Sequence, residues 1–334
     1  MLLSPHHLFA TCLTLAVCTL NIANAETPIR VGIIGCDTSH APAFTKLVNG
    51  ALAPEELAKI RVVAAYPGGS FDVAASRDRV RGFTEELRKL NVKIVDSVET
   101  LLPLVDAILL ESVDGRKHLE QIRPVIAAGK PVFIDKPVAG SLSDAIEIFR
   151  LAEGSHVPCF SSSSLRFAEN LTDLKKDLRL KRVLGCDAFS PCEIEPHHPD
   201  LFWYGVHGVE ILFSLMGPGC VSVCRSSTPT TDVVVGVWKD GRVGTYRGIR
   251  EGSQTYGATI YGKDDVIPIK IDQGYGPLLR KVASFFRTGE PPVSADETLE
   301  IFAFMEAADE SKRRGGVPIK LDDVLKTAGA VGRQ

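Results

Sequence analysis

The stretch Ile29-Arg30-Val31-Gly32-Ile33-Ile34-Gly35-Cys36-Asp37-Thr38-Ser39-His40 decides the fold. A short apolar run ending in glycine reads as a buried parallel strand. A helix follows: Thr38 and Ser39 can cap it, and Pro42 suits its first turn. Phe44, Leu47 and Val48 form its inner face, and Gly50 stops it. The first half of the chain keeps this rhythm. Further strands are predicted at 60–65, 92–95, 107–110, 132–134 and 158–161. Helices are predicted over 76–90, over 118–128, and from a capping-box-like Ser141 and Asp144 to Gly154. Strands alternating with helices at this spacing predict a doubly wound parallel sheet of the Rossmann type.

The rhythm changes after about residue 165. A helix over 169–180 and a strand over 183–189 lead into a proline-marked loop, 190–202, and a helix ending at Gly217. Extended segments then succeed one another at 221–225, 232–238, 243–247, 254–261 and 266–271, parted by turns such as Lys239-Asp240-Gly241. Helices over 277–288 and from a Ser294/Glu297 cap close the chain, the latter with Ile301, Phe304, Met305 and Ala308 on one face. The expected architecture is α/β: a Rossmann domain, 26–164, followed by an α+β domain, 165–334, built on a mostly antiparallel open sheet.

With 334 residues, 45% hydrophobic and 24% charged, the chain suits two ordinary domains. A net charge of −3 without a basic run argues against nucleic acid or an anionic membrane as a partner. Residues 1–25 read as a cleaved signal peptide. No charged residue precedes Glu26, the stretch 8–20 is apolar or small, and Ala23-Asn24-Ala25 supplies a small-x-small cleavage site. The apolar stretch is too short to span a bilayer. A periplasmic or extracellular location is therefore expected. Two of the eight cysteines fall within that segment. An oxidising compartment would allow Cys220 to pair with Cys224, or Cys186 with Cys192, but buried free thiols are the expectation for most.

Ligands of such folds sit at the carboxyl ends of the strands. The turn after the first strand would ordinarily read G-x-G-x-x-G; here only Gly35 remains, with Asp37 and His40 at the other glycine positions. A carboxylate at position 37 competes with a phosphate for the helix-end amides, or simply caps the helix. Strand two ends in Tyr66-Pro67-Gly68-Gly69 where an acid normally holds the ribose, and Tyr66 can stack on an adenine or pack on loops. After strand five, Asp135-Lys136-Pro137 places an acid and a lysine at the sheet edge, where a lysine can polarise a carbonyl or shuttle a proton.

The sequence resembles the Gfo/Idh/MocA family, which includes glucose–fructose oxidoreductase and inositol dehydrogenase. The resemblance rests on residues 29–36, the Asp135-Lys136-Pro137 box, and the stretch Phe285-Phe286-Arg287-Thr288-Gly289-Glu290-Pro291-Pro292. It implies hydride exchange between NAD or NADP and a sugar or polyol hydroxyl, with Lys136 and His207 as catalytic residues. Gly35, Asp37, Thr38, Ser39, His40, Ser112 and Lys136 would face the dinucleotide. It also implies a homo-oligomer formed through the open sheet. Trp203 stands where the family often has an aspartate, and at helical spacing Trp203, His207, Glu210 and Ser214 share a face, so Glu210 can orient His207 instead. Glu111-Ser112-Val113-Asp114-Gly115 adds carboxylates where a neutral stretch commonly flanks the nicotinamide.

Arg166 reads either as a ligand for sugar hydroxyls or a carboxylate, or as an interdomain salt bridge. Tyr204, His198 and Glu210 join it as candidate substrate contacts. In the loop Cys192–Asp200 the adjacent His197 and His198 point opposite ways in an extended chain, so no metal is expected there. Two functions follow. One is an NAD(P)-dependent oxidoreductase of sugars or polyols. The other is a non-redox, exported carbohydrate-binding or sugar-processing protein that has lost dinucleotide binding.

Overall fold

The computed structural model describes residues 27–176 and 182–331. The expected signal peptide lies outside the described residues, and no helix among those described is long and apolar enough to cross a membrane. Six strands form the first sheet: β1 (Ile29–Ile34), β2 (Ile60–Tyr66), β3 (Lys93–Ile94), β4 (Ala107–Leu110), β5 (Val132–Ile134) and β6 (Cys159–Ser161). Their order is β3-β2-β1-β4-β5-β6, parallel throughout. β4, β5 and β6 are buried at every position, as their unbroken apolar runs require of strands covered by helices on both faces. The order reverses between β1 and β4, so the crevice at the carboxyl end of the sheet opens there.

The second sheet holds β7 (Val183–Pro191), β8 (Cys220–Ser227), β9 (Thr231–Trp238), β10 (Val243–Ile249), β11 (Gly257–Gly262), β12 (Val266–Lys270) and β13 (Ile319–Lys320). Its order is β12-β11-β7-β10-β9-β8-β13, antiparallel except for the β7–β10 pair. β9 alternates between buried and less buried positions, so one face of the sheet meets the core and the other does not. The covering helix, Val206–Met216, lies directly on β10: a Cβ at Gly208 would stand 2.2 Å from the Tyr246 ring. That close approach fixes the height of His207 above the sheet.

Several expected elements differ in detail. The predicted helix over 76–90 is two, Ala74–Arg77 and Val80–Lys89. The helix at 169 runs to Leu174, and part of its predicted remainder lies outside the described residues. Trp203 does not share a helix with His207. It ends a separate short helix, Asp200–Trp203, and the chain turns at Tyr204 and Gly205 before the next begins. The cysteines at 36, 159, 186, 192, 220 and 224 are free thiols.

Candidate active site

Four strand ends deliver the polar groups of the site. The turn after β1 leads to His40, the first residue of a helix. β4 is followed by Glu111, β5 by Asp135 and Lys136, and β6 by Ser162 and Ser163. The Val206–Met216 helix brings His207 from the other sheet.

His40 donates from Nδ1 to Asp135 Oδ2 at 2.7 Å, its ring packed against those of Phe44 and Tyr275 at 5.2 and 4.9 Å. Burial works to raise the Asp135 carboxyl, but His40 and Lys136 beside it hold it below the usual carboxylate range. Glu111 is fully buried; burial, then the Asp135 charge, pushes its carboxyl well up. Neither Glu111 oxygen has a hydrogen-bond partner among the described residues. Lys136 is pushed down by burial against the pull of Asp135, and its Nζ lies 5.7 Å from the Tyr204 ring centre.

His207 is buried, with Ser163 Oγ 2.8 Å from Nδ1. Burial first, then the charges of Lys136 and His40, hold it well below the ordinary imidazole value. It is thus a neutral imidazole at neutral pH, able to take a proton. A cavity of about 250 Å³ opens beside it, its wall formed by His40, Tyr204, His207, Tyr256, Gln273 and Tyr275 among others.

Glu210 does not orient His207. It accepts from Arg166 Nε at 2.5 Å and from the Ser163 amide at 3.3 Å, while Ser163 touches the imidazole. Arg166 also donates to Glu297 at 2.6 Å; both of its salt bridges lie within the second domain, not between domains as one of its sequence readings has it. The pair is buried, Arg166 Nη2 has no hydrogen-bond partner among the described residues, and neither residue lines the cavity. His198 is likewise not a cavity group. Its Nε2 lies 3.2 Å from the buried Asp114, while His197 meets Glu195 at 2.5 Å through Nδ1 and lies 3.8 Å from Asp72 through Nε2. Ser163 was missed in the sequence because one serine in the run 161–164 carries no signal of its own.

The fingerprint turn is closed by the chain itself. The amides of Gly35 and Cys36 donate to Tyr66 O at 2.9 Å and Pro67 O at 2.7 Å. Gly35 has φ +93°, and a Cβ there would lie 2.3 Å from the Ser112 nitrogen, which is why this glycine alone is kept. Asp37 is not the helix cap; that place falls to the exposed Ser39, whose side chain makes no capping bond. Asp37 is buried. Its Oδ2 accepts from Ser76 Oγ at 2.6 Å and its Oδ1 from the Val113 amide at 3.0 Å. Burial raises its carboxyl despite both bonds. Thr38 is buried and accepts from the His40 amide, and the Ser112 hydroxyl donates to Gln121 at 2.8 Å. Of the predicted dinucleotide contacts here, Gly35, Asp37, Thr38 and Ser112 are buried against protein, while Ser39 is exposed.

A Rossmann sheet feeding its carboxyl edge toward an open, mostly antiparallel sheet defines a two-domain α/β fold. Residues 29–163, the Rossmann domain, match the family described as "Oxidoreductase family, NAD-binding Rossmann fold", GFO_IDH_MocA. An uncharacterized protein of Saccharomyces cerevisiae is 22% identical over 295 residues, covering 76% of this chain and 77% of its own. The fold is shared with myo-inositol dehydrogenase from Lactobacillus casei, solved in complex with NAD(H) and myo-inositol. The TM-score is 0.69 at 17% identity, over 88% of this chain and 96% of that one. It is shared also with apo scyllo-inositol dehydrogenase from Lactobacillus casei, at a TM-score of 0.72 and 13% identity, over 89% and 99%.

Proposed function

We propose that this chain is an enzyme of sugars or polyols that works by proton transfer at the His207 cavity without a dinucleotide in the usual pose. The Gly35 turn supports the reading: its two amides are bound to the β2 loop, and a buried Asp37 carboxylate stands at the fingerprint's second glycine position. The cavity, about 250 Å³, is below the roughly 300–1,000 Å³ of sites for drug-sized ligands. Tyrosine rings with polar tips suit a small hydroxyl-rich molecule. Neutral His207, held by Ser163, accepts a proton from a substrate hydroxyl or from carbon beside a carbonyl. The Lys136 ammonium stabilises the negative oxygen so formed. Tyr204 stands between them, with Lys136 over its ring and His207 at 5.3 Å. The export expected from residues 1–25 is consistent with a protein that carries no soluble dinucleotide.

A second reading, NAD(P)-linked oxidation of a sugar or polyol, is favoured by the family match over residues 29–163. It requires the β2 loop to lift from Gly35 and Asp37 to turn away. Calorimetric titration of the chain from Glu26 onward with NAD(H), NADP(H), and a panel of hexoses, inositols and uronic acids decides between the two. Saturable binding of a sugar or polyol without dinucleotide binding is expected. Micromolar binding of a dinucleotide overturns the first reading and establishes the second.

A further inference from the structure

His40, Glu111 and Asp135 come from three different strand ends, and one ligand atom from each lies within 4.8 Å of the others. We propose that these three side chains bind a divalent transition-metal ion, Mn²⁺ or Zn²⁺, at the edge of the substrate cavity. One imidazole nitrogen and two carboxylates are a donor set for such an ion.

The unpartnered Glu111 carries the argument. It is fully buried, both oxygens lack a hydrogen-bond partner among the described residues, and the carboxylate is aimed at the His40–Asp135 pair. Leaving a buried polar group unsatisfied is costly. Protonating it removes the charge but adds an O–H that also has no acceptor. Lys136 gives one positive charge against two carboxylates and makes no hydrogen bond to Glu111. An ion satisfies all of them at once.

The spacing suits it. Two ligand atoms about 2.1 Å from one ion lie at most about 4.2 Å apart; His40 Nδ1 already stands 2.7 Å from Asp135 Oδ2, and Glu111, within 4.8 Å of both, would close in by a small side-chain turn. The ion would take the place of the proton now shared there. Phe44 and Tyr275 hold the imidazole ring in place, as supporting groups do around metal ligands. His40 alone of the three lines the cavity, so the ion would enter past it. An ion so placed deepens the proposed function, since it lies where a substrate oxygen would reach it, yet its binding is measured without any substrate.

The test begins with the metal content of the purified full chain by mass spectrometry. Chelator-stripped protein is then titrated with MnCl2 and ZnCl2, alongside Glu111→Gln and His40→Ala, with circular dichroism confirming the fold of each. One ion per chain is expected, with binding weakened at least about 100-fold in each variant, since even groups behind metal ligands cost 10–100-fold. Should Glu111→Gln fail to fold, the partly exposed His40 decides alone. A folded wild type that binds neither ion saturably, or binding unchanged by His40→Ala, overturns the site. Sugar titration of the stripped protein reads the proposed function separately.

Discussion

The hydroxyl of Ser163 lies 2.8 Å from Nδ1 of His207, joining the end of the Rossmann sheet to a helix of the second sheet. This contact fixes which imidazole nitrogen is engaged by the protein. The same Oγ accepts from the Leu165 amide at 3.3 Å. Ser163→Ala should change the ratio of the two His207 tautomers and lower stability by about 1 kcal/mol. Nitrogen-15 chemical shifts of the imidazole and urea unfolding read the two effects. An unchanged tautomer ratio would remove Ser163 from its positioning role.

Asp37 is a structural carboxylate in this fold. Asp37→Ala strands the Ser76 hydroxyl and the Val113 amide, both buried, at a cost of about 1–3 kcal/mol. The variant should still fail to bind NAD(H), because the Gly35 and Cys36 amides remain on the β2 loop. Denaturant unfolding and calorimetry check the two halves; dinucleotide binding gained by this single change would show that Asp37 alone blocks the turn.

Burial pushes His118 and His207 below the ordinary imidazole value of 6.5. With the folded pKa depressed, the stability these neutral rings contribute is fully present above about pH 6.5 and is lost as the pH falls below it. His118 is fully buried between Ser112 O at 2.8 Å and Val138 O at 3.2 Å. Urea midpoints at about pH 7.5 and 5.5 should differ less in His118→Gln than in wild type, by up to about 1.4 kcal/mol per pH unit. Equal slopes would mean that His118 is not titrating in this window.

Arg225 on β8 is buried among Asp232 at 2.9 Å, Asp200 at 3.0 Å and Asp309. Asp200 begins the short helix that ends at Trp203, so this hub pins the chain leading into the His207 helix. Arg225→Met leaves the buried Asp309 without its cation, while Asp232 keeps Arg250 and Asp200 keeps Lys312, and should cost about 3–5 kcal/mol. Guanidinium unfolding measures it, and a cost below 1 kcal/mol would contradict the hub.

The parallel sheet was readable because its strands are unbroken apolar runs separated by capped helices, a local signal. The open sheet was readable from its turns, although two-residue β13 was not. Lys136 and His207 could be singled out by motif. The partners of His207 could not, because Ser163 reaches it across 44 residues and Arg166 reaches Glu297 across 131. Helical spacing suggested Glu210 beside His207, but a guanidinium from another element claimed that carboxylate first. Asp37 signalled an altered turn. That the β2 loop would lie upon it depends on backbone pairing between Gly35 and Tyr66, which no side chain announces.

Glu297 holds Arg166, Arg166 holds Glu210, Glu210 receives the Ser163 amide, and Ser163 touches His207. Order in time follows from that chain of contacts. A nascent chain that has emerged through residue 216 already contains Lys136 and His207, yet the group that anchors their scaffold is still to be synthesised. The Rossmann half can form its sheet early, but the site is finished only when the Ala295–Arg313 helix docks. The contacts around His207 are therefore among the last of those described to be assembled.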